Sequence, residues 1–269
     1  ARRLIGGRAA LMSKIEKPSA VADIDRIVEM SDGCMVARGD LGVEIPAEDV
    51  PIAQVRIVQA NRAAGKPVIV ATQMLDSMVG SPTPTRAEAA DVAKAVHDGA
   101  DAVMLSAESA VGLYPIETVT MMARIVTRAE RDDTAFRNLM TAGRPDPEPT
   151  GADAITHAAA RVAETIGAAA IVAYSMTGST VLRAARERPS APILGLTPQQ
   201  DVARRLTMSW GVRPMIGEDA HDFEDMVTTA VGAARTALGA PEDGKLVVIA
   251  GVPFGTPGAT NILRIANMR

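Results

Sequence analysis

The sequence predicts an α/β protein in two parts. Short runs of apolar residues alternate with helical patterns along most of the chain, and polar turns separate them. Because these runs are apolar throughout, rather than at every second position, we expect buried strands in parallel sheets that helices cover. Prolines at positions 145, 147 and 149 interrupt the alternation, so we expect a stiff, extended linker over residues 141–150.

Composition excludes several classes of function. The net charge of -4 offers no basic surface for a nucleic acid polymer or an anionic membrane. No apolar run reaches the roughly 18 residues that a membrane span needs. The single cysteine, Cys34, excludes an internal disulfide and, with no signal peptide in view, favours a cytoplasmic location.

The first part, residues 1–140, repeats a helix, a glycine that ends it and a short strand. The repeat length is about 32 to 34 residues, as in βα units. Its strands are predicted near residues 10–16, 34–38, 67–73 and 101–106. Four βα units are half of a (β/α)8 barrel, so we expect a sheet with two open edges and an unfilled interior. Because the chain does not open on Met and Leu4–Gly7 resembles the end of an earlier element, we also expect sequence before Ala1.

Caps and apolar faces mark the helices of this part, which are predicted at 20–28, 89–96 and 115–131. Thr85 and Glu88 have the spacing of a capping box ahead of the second of them. Residues 38–42, after the second strand, are predicted to form a turn, because Gly39 and Gly42 allow backbone conformations that side chains forbid.

The second part, residues 151–269, resumes the alternation as a smaller, open α/β domain with a mostly parallel sheet. Its helices are predicted at 152–166, 179–188, 199–208 and 221–238, and its strands at 169–174, 192–196, 212–216 and 245–250. A last extended segment, 261–266, could close the edge of the sheet.

Charged residues lie at the ends of the first two strands, where α/β proteins place their chemistry. Lys14 and Glu16 are two residues apart, so both side chains should point to the same face of the strand. Glu16 and Asp40 come from neighbouring strand ends and could bind one Mg²⁺ or Mn²⁺ as hard oxygen ligands. Lys14 beside that metal would keep its proton and stabilise an oxyanion. The alternative is a structural ion pair between Lys14 and Glu16.

Five blocks in this part resemble the pyruvate kinase family in order and spacing. They are Ser-Lys-Ile-Glu at 13–16, Met-Val-Ala-Arg-Gly-Asp-Leu-Gly-Val-Glu at 35–44, Ala-Thr-Gln-Met-Leu-Asp-Ser-Met at 71–78, Pro-Thr-Arg-Ala-Glu at 84–88 and Asp-Gly-Ala-Asp-Ala-Val-Met-Leu-Ser-Ala-Glu-Ser at 98–109. The resemblance is continuous over about 5–130 and weaker over 151–269. It implies the last four strands of a (β/α)8 barrel, followed by the family's C-terminal α/β domain.

The resemblance also implies roles for single residues. Lys14 matches the lysine that stabilises the transferring phosphoryl group and the enolate, and Glu16 and Asp40 match the divalent-metal ligands. Gly39 and Asp40 match the residues whose backbone amides bind the substrate carboxylate, and Thr72 matches a substrate-binding threonine near the face where C3 is protonated. The implied reaction is glycolytic phosphoryl transfer from phosphoenolpyruvate to ADP, with Mg²⁺ or Mn²⁺. A K⁺ ion, whose ligands would lie outside this chain, and a homotetramer are also implied.

The chain departs from the family at the last barrel strand, where Ser106-Ala107-Glu108-Ser109 stands in place of the usual Ser-Gly-Glu-Thr. The hydroxyl and the carboxylate are kept, so Ser106 and Glu108 could belong to a water-mediated proton relay. Helix capping is an equal alternative.

In the second part, hydroxyl residues lie between a strand and a helix, where helix amides favour an anion. By the resemblance, this loop and a second loop at 255–261 form the site where some members bind a sugar-phosphate or nucleotide effector. The residues concerned are Ser175, Thr177, Gly178, Ser179, Thr180, Gly258 and Thr260. Ordinary helix capping is the alternative.

Two other functions stay open. One is a metal-dependent aldolase or lyase barrel that handles the enolate of pyruvate, because Lys-Ile-Glu and a later Asp recur there. The other is a non-catalytic fragment that binds an effector or assembles subunits. The family's first barrel strands and lid domain would precede Ala1, so we expect this chain to be inactive alone.

Overall fold

The computed structural model describes residues 1–131, 136, 139–140, 143–218, 220–253 and 259–269. The chain divides into two compact units, unit 1 (Ala1–Gly143) and unit 2 (Arg144–Arg269). The division falls within the segment 141–150 that the prolines mark in the sequence.

Unit 1 contains a four-stranded parallel sheet in sequence order, formed by β1 (Met12–Ile15), β2 (Gly33–Ala37), β3 (Val68–Ala71) and β4 (Ala102–Met104). Its helices are α1 (Arg2–Ile5), α2 (Pro18–Ala22), α3 (Ile24–Met30), α4 (Arg38–Glu44), α5 (Val50–Ala63), α6 (Arg86–Asp98), α7 (Ala107–Ala110) and α8 (Pro115–Glu130). Short 3₁₀ turns lie at Ala47–Asp49 and Asp76–Val79. Consecutive parallel strands joined by helices are the arrangement predicted for half of a barrel.

The register of the strands separates two faces of this sheet. The residues of one face pack with the helices in a buried core, and they include Ile15, Cys34, Val36, Val68 and Val70. The other face aligns Lys14, Met35, Ile69 and Ala102. Lys14 is exposed, and Met35 and Ala102 are partly exposed. This second face corresponds to the interior of a closed barrel.

Two local predictions in unit 1 are wrong. The helix predicted over 20–28 is broken at Asp23, which separates α2 from α3. The turn predicted at residues 38–42 is the helix α4, in which Leu41 is fully buried and its carbonyl accepts from the Ile45 amide at 3.0 Å. Burial of the apolar side chain thus outweighs the low helix propensity of Gly39 and Gly42.

Unit 2 contains a five-stranded sheet in the order β7-β6-β5-β8-β9. The strands are β5 (Ala170–Tyr174), β6 (Ile193–Thr197), β7 (Val212–Ile216), β8 (Lys245–Gly251) and β9 (Thr260–Asn267). The helices are α9 (Gly151–Ile166), α10 (Ser179–Arg186), α11 (Gln200–Leu206) and α12 (Phe223–Leu238). Strands β5 to β8 pair in parallel, and β9 pairs antiparallel with β8, so the predicted edge strand is confirmed.

No helix in the described part of the chain combines the length and the apolar character that crossing a bilayer requires.

Candidate active site

Three charged side chains meet at the carboxyl ends of β1 and β2. Lys14 lies on β1, Glu16 directly follows that strand, and Asp40 lies in the first turn of α4. Lys14 Nζ is 2.6 Å from Glu16 Oε2 and 2.7 Å from Asp40 Oδ2. The two carboxylate oxygens are therefore separated by no more than the sum of those distances, and the sequence-predicted pair of acids shares one cation.

The cluster is accessible and strongly polarised. The side chains of Lys14, Glu16 and Asp40 are 51%, 38% and 53% exposed. Hydrogen bonds to Asp40 and Glu16 raise the pKa of Lys14 above that of an ordinary lysine. The hydrogen bond from Lys14 lowers the pKa of Asp40. At neutral pH the site therefore holds an ammonium beside ionised Asp40, the charge state that the sequence predicted for Lys14.

Thr72 and Gly39, predicted to bind substrate, contact each other. The Gly39 amide donates to Thr72 Oγ1 at 2.7 Å, and that hydroxyl donates to the Ala71 carbonyl at 2.6 Å. The approach is close, because a Cβ added to Gly39 would lie 3.3 Å from Thr72 Oγ1. Thr72 itself has φ +68° and Gln73 has φ +52°, a left-handed backbone that side chains other than glycine rarely adopt.

Sequence reasoning missed Arg38, whose side chain is 8% exposed and contacts the turn at Thr72 and Gln73. Its guanidinium donates to the carbonyls of Thr72 and Gln73 and pairs with Asp91 on α6. An arginine between an apolar strand and Gly-Asp was the available signal, because a charge at such a point needs partners. Nothing in the sequence pattern indicated which residues those partners would be.

Ser106 and Glu108 lie beyond β4, two strands away from β2 in the sheet. Glu108 is 1% exposed, and its two oxygens accept from the amides of Leu75 at 3.2 Å and Ser106 at 2.6 Å. This carboxylate therefore joins the loop after β3 to the start of α7, and the Ser106 side chain makes no capping hydrogen bond to that helix. Ser106 Oγ is buried without a hydrogen-bond partner among the described atoms.

Comparison with known proteins identifies the family. The sequence profile described as "Pyruvate kinase, barrel domain" matches residues 3–119, and the one described as "Pyruvate kinase, alpha/beta domain" matches residues 153–266. Together the two profiles cover most of the chain.

The chain belongs to the pyruvate kinase family.

Its relatives are similar over almost the whole chain. A pyruvate kinase of Methylorubrum extorquens is 52% identical over 98% of this chain and 55% of the relative's length. One of Agrobacterium vitis is 53% identical over 100% of this chain and 55% of its own length. The crystal structure of a pyruvate kinase from Cryptosporidium parvum superposes with a TM-score of 0.86 at 35% identity, covering 97% of this chain and 52% of that one. The chain thus spans about half the length of the pyruvate kinases it matches.

The carboxylates of Glu16 and Asp40 are of the kind that binds Mg²⁺. Glu16 and Asp40 already direct one oxygen each toward a common positive centre, Lys14 Nζ. Magnesium is commonly held by one or two carboxylates, with water and substrate phosphates completing its octahedron. Among the described residues no group of three or more His, Cys, Asp or Glu side chains could hold a metal. A metal site built from these residues is therefore of the two-carboxylate kind.

The loop predicted to bind an effector lies between β5 and α10 of unit 2. Thr180 is 4% exposed, and its hydroxyl is 2.6 Å from that of Thr260 on β9, so these two side chains bind each other. Thr177 is exposed and donates to Ser179 Oγ at 3.1 Å. Ser175 and Gly178 complete the same loop, and Gly178 has φ +87°. Gly258 lies outside the described residues.

Proposed function

We propose that this chain supplies one half of the catalytic barrel, and the C-terminal α/β domain, of a pyruvate kinase. The reaction is phosphoryl transfer from phosphoenolpyruvate to ADP. The bond between phosphorus and the C2 oxygen breaks, a β-phosphate oxygen of ADP bonds to phosphorus, and the remaining enolate takes a proton at C3. The observation that carries this proposal is the shared contact of Lys14 with Glu16 and Asp40 at the ends of β1 and β2.

Lys14 is suited to the charge that develops in this reaction. Its raised pKa keeps it an ammonium throughout the physiological range. A fixed positive charge stabilises the oxygens of the phosphoryl group in transfer and the enolate oxygen that departs. Lys14 Nζ already contacts Glu16 and Asp40, the two carboxylates proposed to bind the metal. Its ammonium would therefore lie close to the metal and to a phosphate bound by that metal.

Glu16 and Asp40 would hold Mg²⁺ or Mn²⁺. Such an ion, when bound, neutralises phosphate oxygens as a Lewis acid and orients them for in-line transfer. The same proposal includes a K⁺ ion, whose ligands would lie outside this chain.

Gly39 and Thr72 would orient the substrate. The Gly39 amide donates to the Thr72 hydroxyl at 2.7 Å, so a substrate carboxylate that accepted from the Gly39 amide would replace this bond and lie beside that hydroxyl. Thr72 would then face C3, the carbon that gains the proton. Ser106 and Glu108 could belong to a relay for that proton, with capping by Glu108 as the competing role.

The test uses two polypeptides. One is this chain. The other, the joined polypeptide, adds before Ala1, on the side where the resemblance predicts the missing barrel half, the part of the Agrobacterium vitis relative that the match leaves out. We expect the joined polypeptide to form pyruvate from phosphoenolpyruvate and ADP with Mg²⁺, measured by coupling to lactate dehydrogenase, and this chain to be inactive alone. Lys14→Met should reduce turnover to background, because no other residue of the cluster is cationic.

Lys94→Met is the matched control. Lys94 is also 51% exposed and also pairs with a carboxylate, that of Asp98, but on α6 away from the strand ends. We expect its turnover to stay at the wild-type level. Near-normal phosphoryl transfer by Lys14→Met would show that the role given to Lys14 is wrong. Release of pyruvate from an aldol substrate, without ADP dependence, would favour a lyase. Inactivity of the joined polypeptide would favour a non-catalytic fragment.

Unit 2 would bind an anionic effector at the loop of Ser175, Thr177, Gly178 and Ser179. The exposed hydroxyl of Thr177 and the amides that begin α10 suit a phosphate group. Thermal shift with sugar phosphates and nucleoside monophosphates tests this, and Thr177→Ala should reduce the shift. Absence of any shift would favour helix capping. A homotetramer and a cytoplasmic location, both expected of the family, belong to the same proposal.

A further inference from the structure

The guanidinium of Arg38 contacts three consecutive residues of the loop after β3. Nη2 lies 2.8 Å from the Thr72 carbonyl oxygen, 3.0 Å from the Gln73 carbonyl oxygen and 2.7 Å from Met74 Sδ. Nε lies 3.3 Å from the Thr72 carbonyl oxygen as well. Nη1 is 2.5 Å from Asp91 Oδ2 on α6. One buried side chain thus joins the end of β2 to the loop after β3 and to a helix.

The residues that Arg38 contacts have an unfavourable backbone conformation. Thr72 and Gln73 both have positive φ, which is uncommon for residues with a Cβ and persists only where surrounding contacts enforce it. The carbonyls of these two residues are the ones that accept from Arg38. The same conformation places Thr72 Oγ1 within 2.7 Å of the amide of Gly39, the residue next to Arg38 in the chain.

We propose that Arg38 is a positioning residue: anchored by Asp91, it holds the Thr72–Gln73 turn left-handed and so sets the Thr72 hydroxyl against the Gly39 amide. This inference rests on the proposed function, in which Thr72 and Gly39 orient the substrate. Arg38 acts through the position of the Thr72 hydroxyl and does not itself touch the substrate. A lysine cannot replace it, because an ammonium lacks the planar fork that reaches Asp91 and two carbonyls at once.

A double-mutant cycle in the joined polypeptide tests this role. We expect Arg38→Lys to lower kcat by about tenfold or more, and to slow exchange of the methyl protons of pyruvate with D₂O in parallel. Thr72→Ala should have the same two effects. The double variant should lose no more than about twofold beyond Thr72→Ala, since Arg38 acts through a side chain that is already gone. Multiplying losses would overturn the proposal.

Arg62→Lys is the matched control. Arg62 is 6% exposed on α5, and its guanidinium likewise donates to a carbonyl, that of Met140 at 2.6 Å. We expect Arg62→Lys to lower the melting temperature about as much as Arg38→Lys and to leave kcat and proton exchange within about twofold of wild type. Equal kinetic losses in both variants would reduce Arg38 to a structural role.

Two further measurements keep the inference separate from the proposed function. If the wild-type joined polypeptide is inactive, crystal structures of this chain and of its Arg38→Lys variant test the inference instead. Loss of the left-handed turn, and of the contact between Gly39 N and Thr72 Oγ1, supports the proposal. An unchanged turn overturns it. If Arg38→Lys does not fold, Asp91→Asn removes the anchor and leaves Arg38 in place. It should show smaller losses of the same kind, and wild-type kinetics in Asp91→Asn would overturn the proposal.

Discussion

The ammonium of Lys14 lies between the carboxylates of Glu16 and Asp40 at an exposed end of the sheet. These contacts raise the pKa of Lys14 and lower the pKa of Asp40. Because folding lowers the pKa of Asp40, this group stabilises the folded chain at pH values above its ordinary pKa of about 4. That stabilisation is lost as the pH falls through the lowered pKa. Because folding raises the pKa of Lys14, this group stabilises the folded chain at pH values below its ordinary pKa of about 10.4. That stabilisation is lost as the pH rises through the raised pKa. Between those limits Lys14 and Asp40 keep their charges.

Asp40→Asn tests the assignment of that shift. The hydrogen bond to Asp40 is the largest cause of the raised pKa of Lys14, followed by the one to Glu16. We therefore expect the substitution to lower the pKa of Lys14 part of the way toward that of an ordinary lysine. The chemical shift of Lys14 Cε, followed against pH by NMR of labelled protein, measures it.

Glu44→Gln gives the matched control in the same spectrum. Lys17 pairs with Glu44, which raises the pKa of Lys17. Removing that charge should lower the pKa of Lys17 and leave Lys14 unchanged. A Lys14 pKa that does not respond to Asp40→Asn, or that responds equally to Glu44→Gln, would contradict the geometry of the cluster.

A second prediction at the scale of residues concerns the left-handed turn at Thr72 and Gln73. Gln73 is exposed, so a substitution there reports mainly on the backbone, which has φ +52°. A left-handed conformation costs a residue with a Cβ roughly 1–2 kcal/mol, whereas glycine adopts it freely at an entropic cost of roughly 0.5–1 kcal/mol. We expect Gln73→Gly to be more stable than Gln73→Ala by about 0.5–1 kcal/mol, measured by urea unfolding.

The opposite order should hold at Gln59. This glutamine is also exposed but lies inside α5, where the backbone is helical. There the glycine variant should be less stable than the alanine variant by about 1 kcal/mol. If alanine were favoured at both positions, the left-handed conformation at Gln73 would be wrong.

Part of the site could be predicted from sequence. Lys14, Glu16 and Asp40 lie at or just after the ends of two predicted strands, and parallel strand ends meet at one edge of a sheet. The contact between Arg38 and Thr72 could not be predicted, because it joins residues 34 apart through a positive φ at a threonine. Local patterns carry no signal for such a conformation, which depends on the packing around it.

At the scale of elements, the capping box of α6 extends into a larger network. Thr85 Oγ1 accepts from the Glu88 amide, and Glu88 accepts from the amide and hydroxyl of Ser77 at 2.7 and 2.6 Å. Burial raises the pKa of Glu88, but the hydrogen bonds from Ser77 and Thr85 outweigh it, so the pKa of Glu88 is lowered. The start of α6 thereby fixes the 3₁₀ turn after β3.

Glu88→Gln should therefore destabilise the chain in a pH-dependent way. An amide oxygen accepts fewer and weaker bonds than a carboxylate, so we expect a loss of about 1–2 kcal/mol at pH 7. Because the stability that Glu88 contributes is lost as the pH falls through its lowered pKa, the difference from wild type should shrink below about pH 4. Urea unfolding at several pH values measures this.

Glu117→Gln separates this network from a simple charge effect. Glu117 is exposed in the first turn of α8, where it interacts with the helix dipole. Its loss should cost only a few tenths of a kcal/mol, with little dependence on neighbouring groups. Equal losses at Glu88 and Glu117 would contradict the network.

Element boundaries show where sequence patterns fail. The capping box placed α6 correctly, and the strands of both sheets lie where the apolar runs predicted. The break at Asp23 was missed because the apolar face continues through it, with Ile24 and Val28 buried on one side. Helix α4 was missed because Gly39 and Gly42 favour a turn, whereas the burial of Leu41 that stabilises the helix is not visible in the sequence. At α4, tertiary packing around Leu41 decided the outcome.

At the scale of the molecule, the two units bury their sheets differently. In unit 2, one face packs with α12 through Met226 and Ala230, and the other packs with α9, α10 and α11 through Ala159, Val181 and Leu206. Described residues of unit 1 form one core on the helix side of its sheet. Its opposite face leaves Met35 and Ala102 partly exposed. Unit 2 thus contains the complete covering that a central parallel sheet needs.

We therefore expect the fragment 144–269 to fold alone, with a cooperative thermal transition by circular dichroism and a monodisperse peak in sedimentation velocity. The fragment 1–143 should bind a hydrophobic dye such as ANS and associate, because the sheet face that aligns Lys14, Met35, Ile69 and Ala102 is apolar apart from Lys14 and leaves Met35 and Ala102 partly exposed. Met35→Lys, which places a second charge on that face, should reduce dye binding and association, whereas Met30→Lys on the helix side should not. A dye-binding 144–269, or a monomeric 1–143 without dye binding, would contradict this account of the two cores.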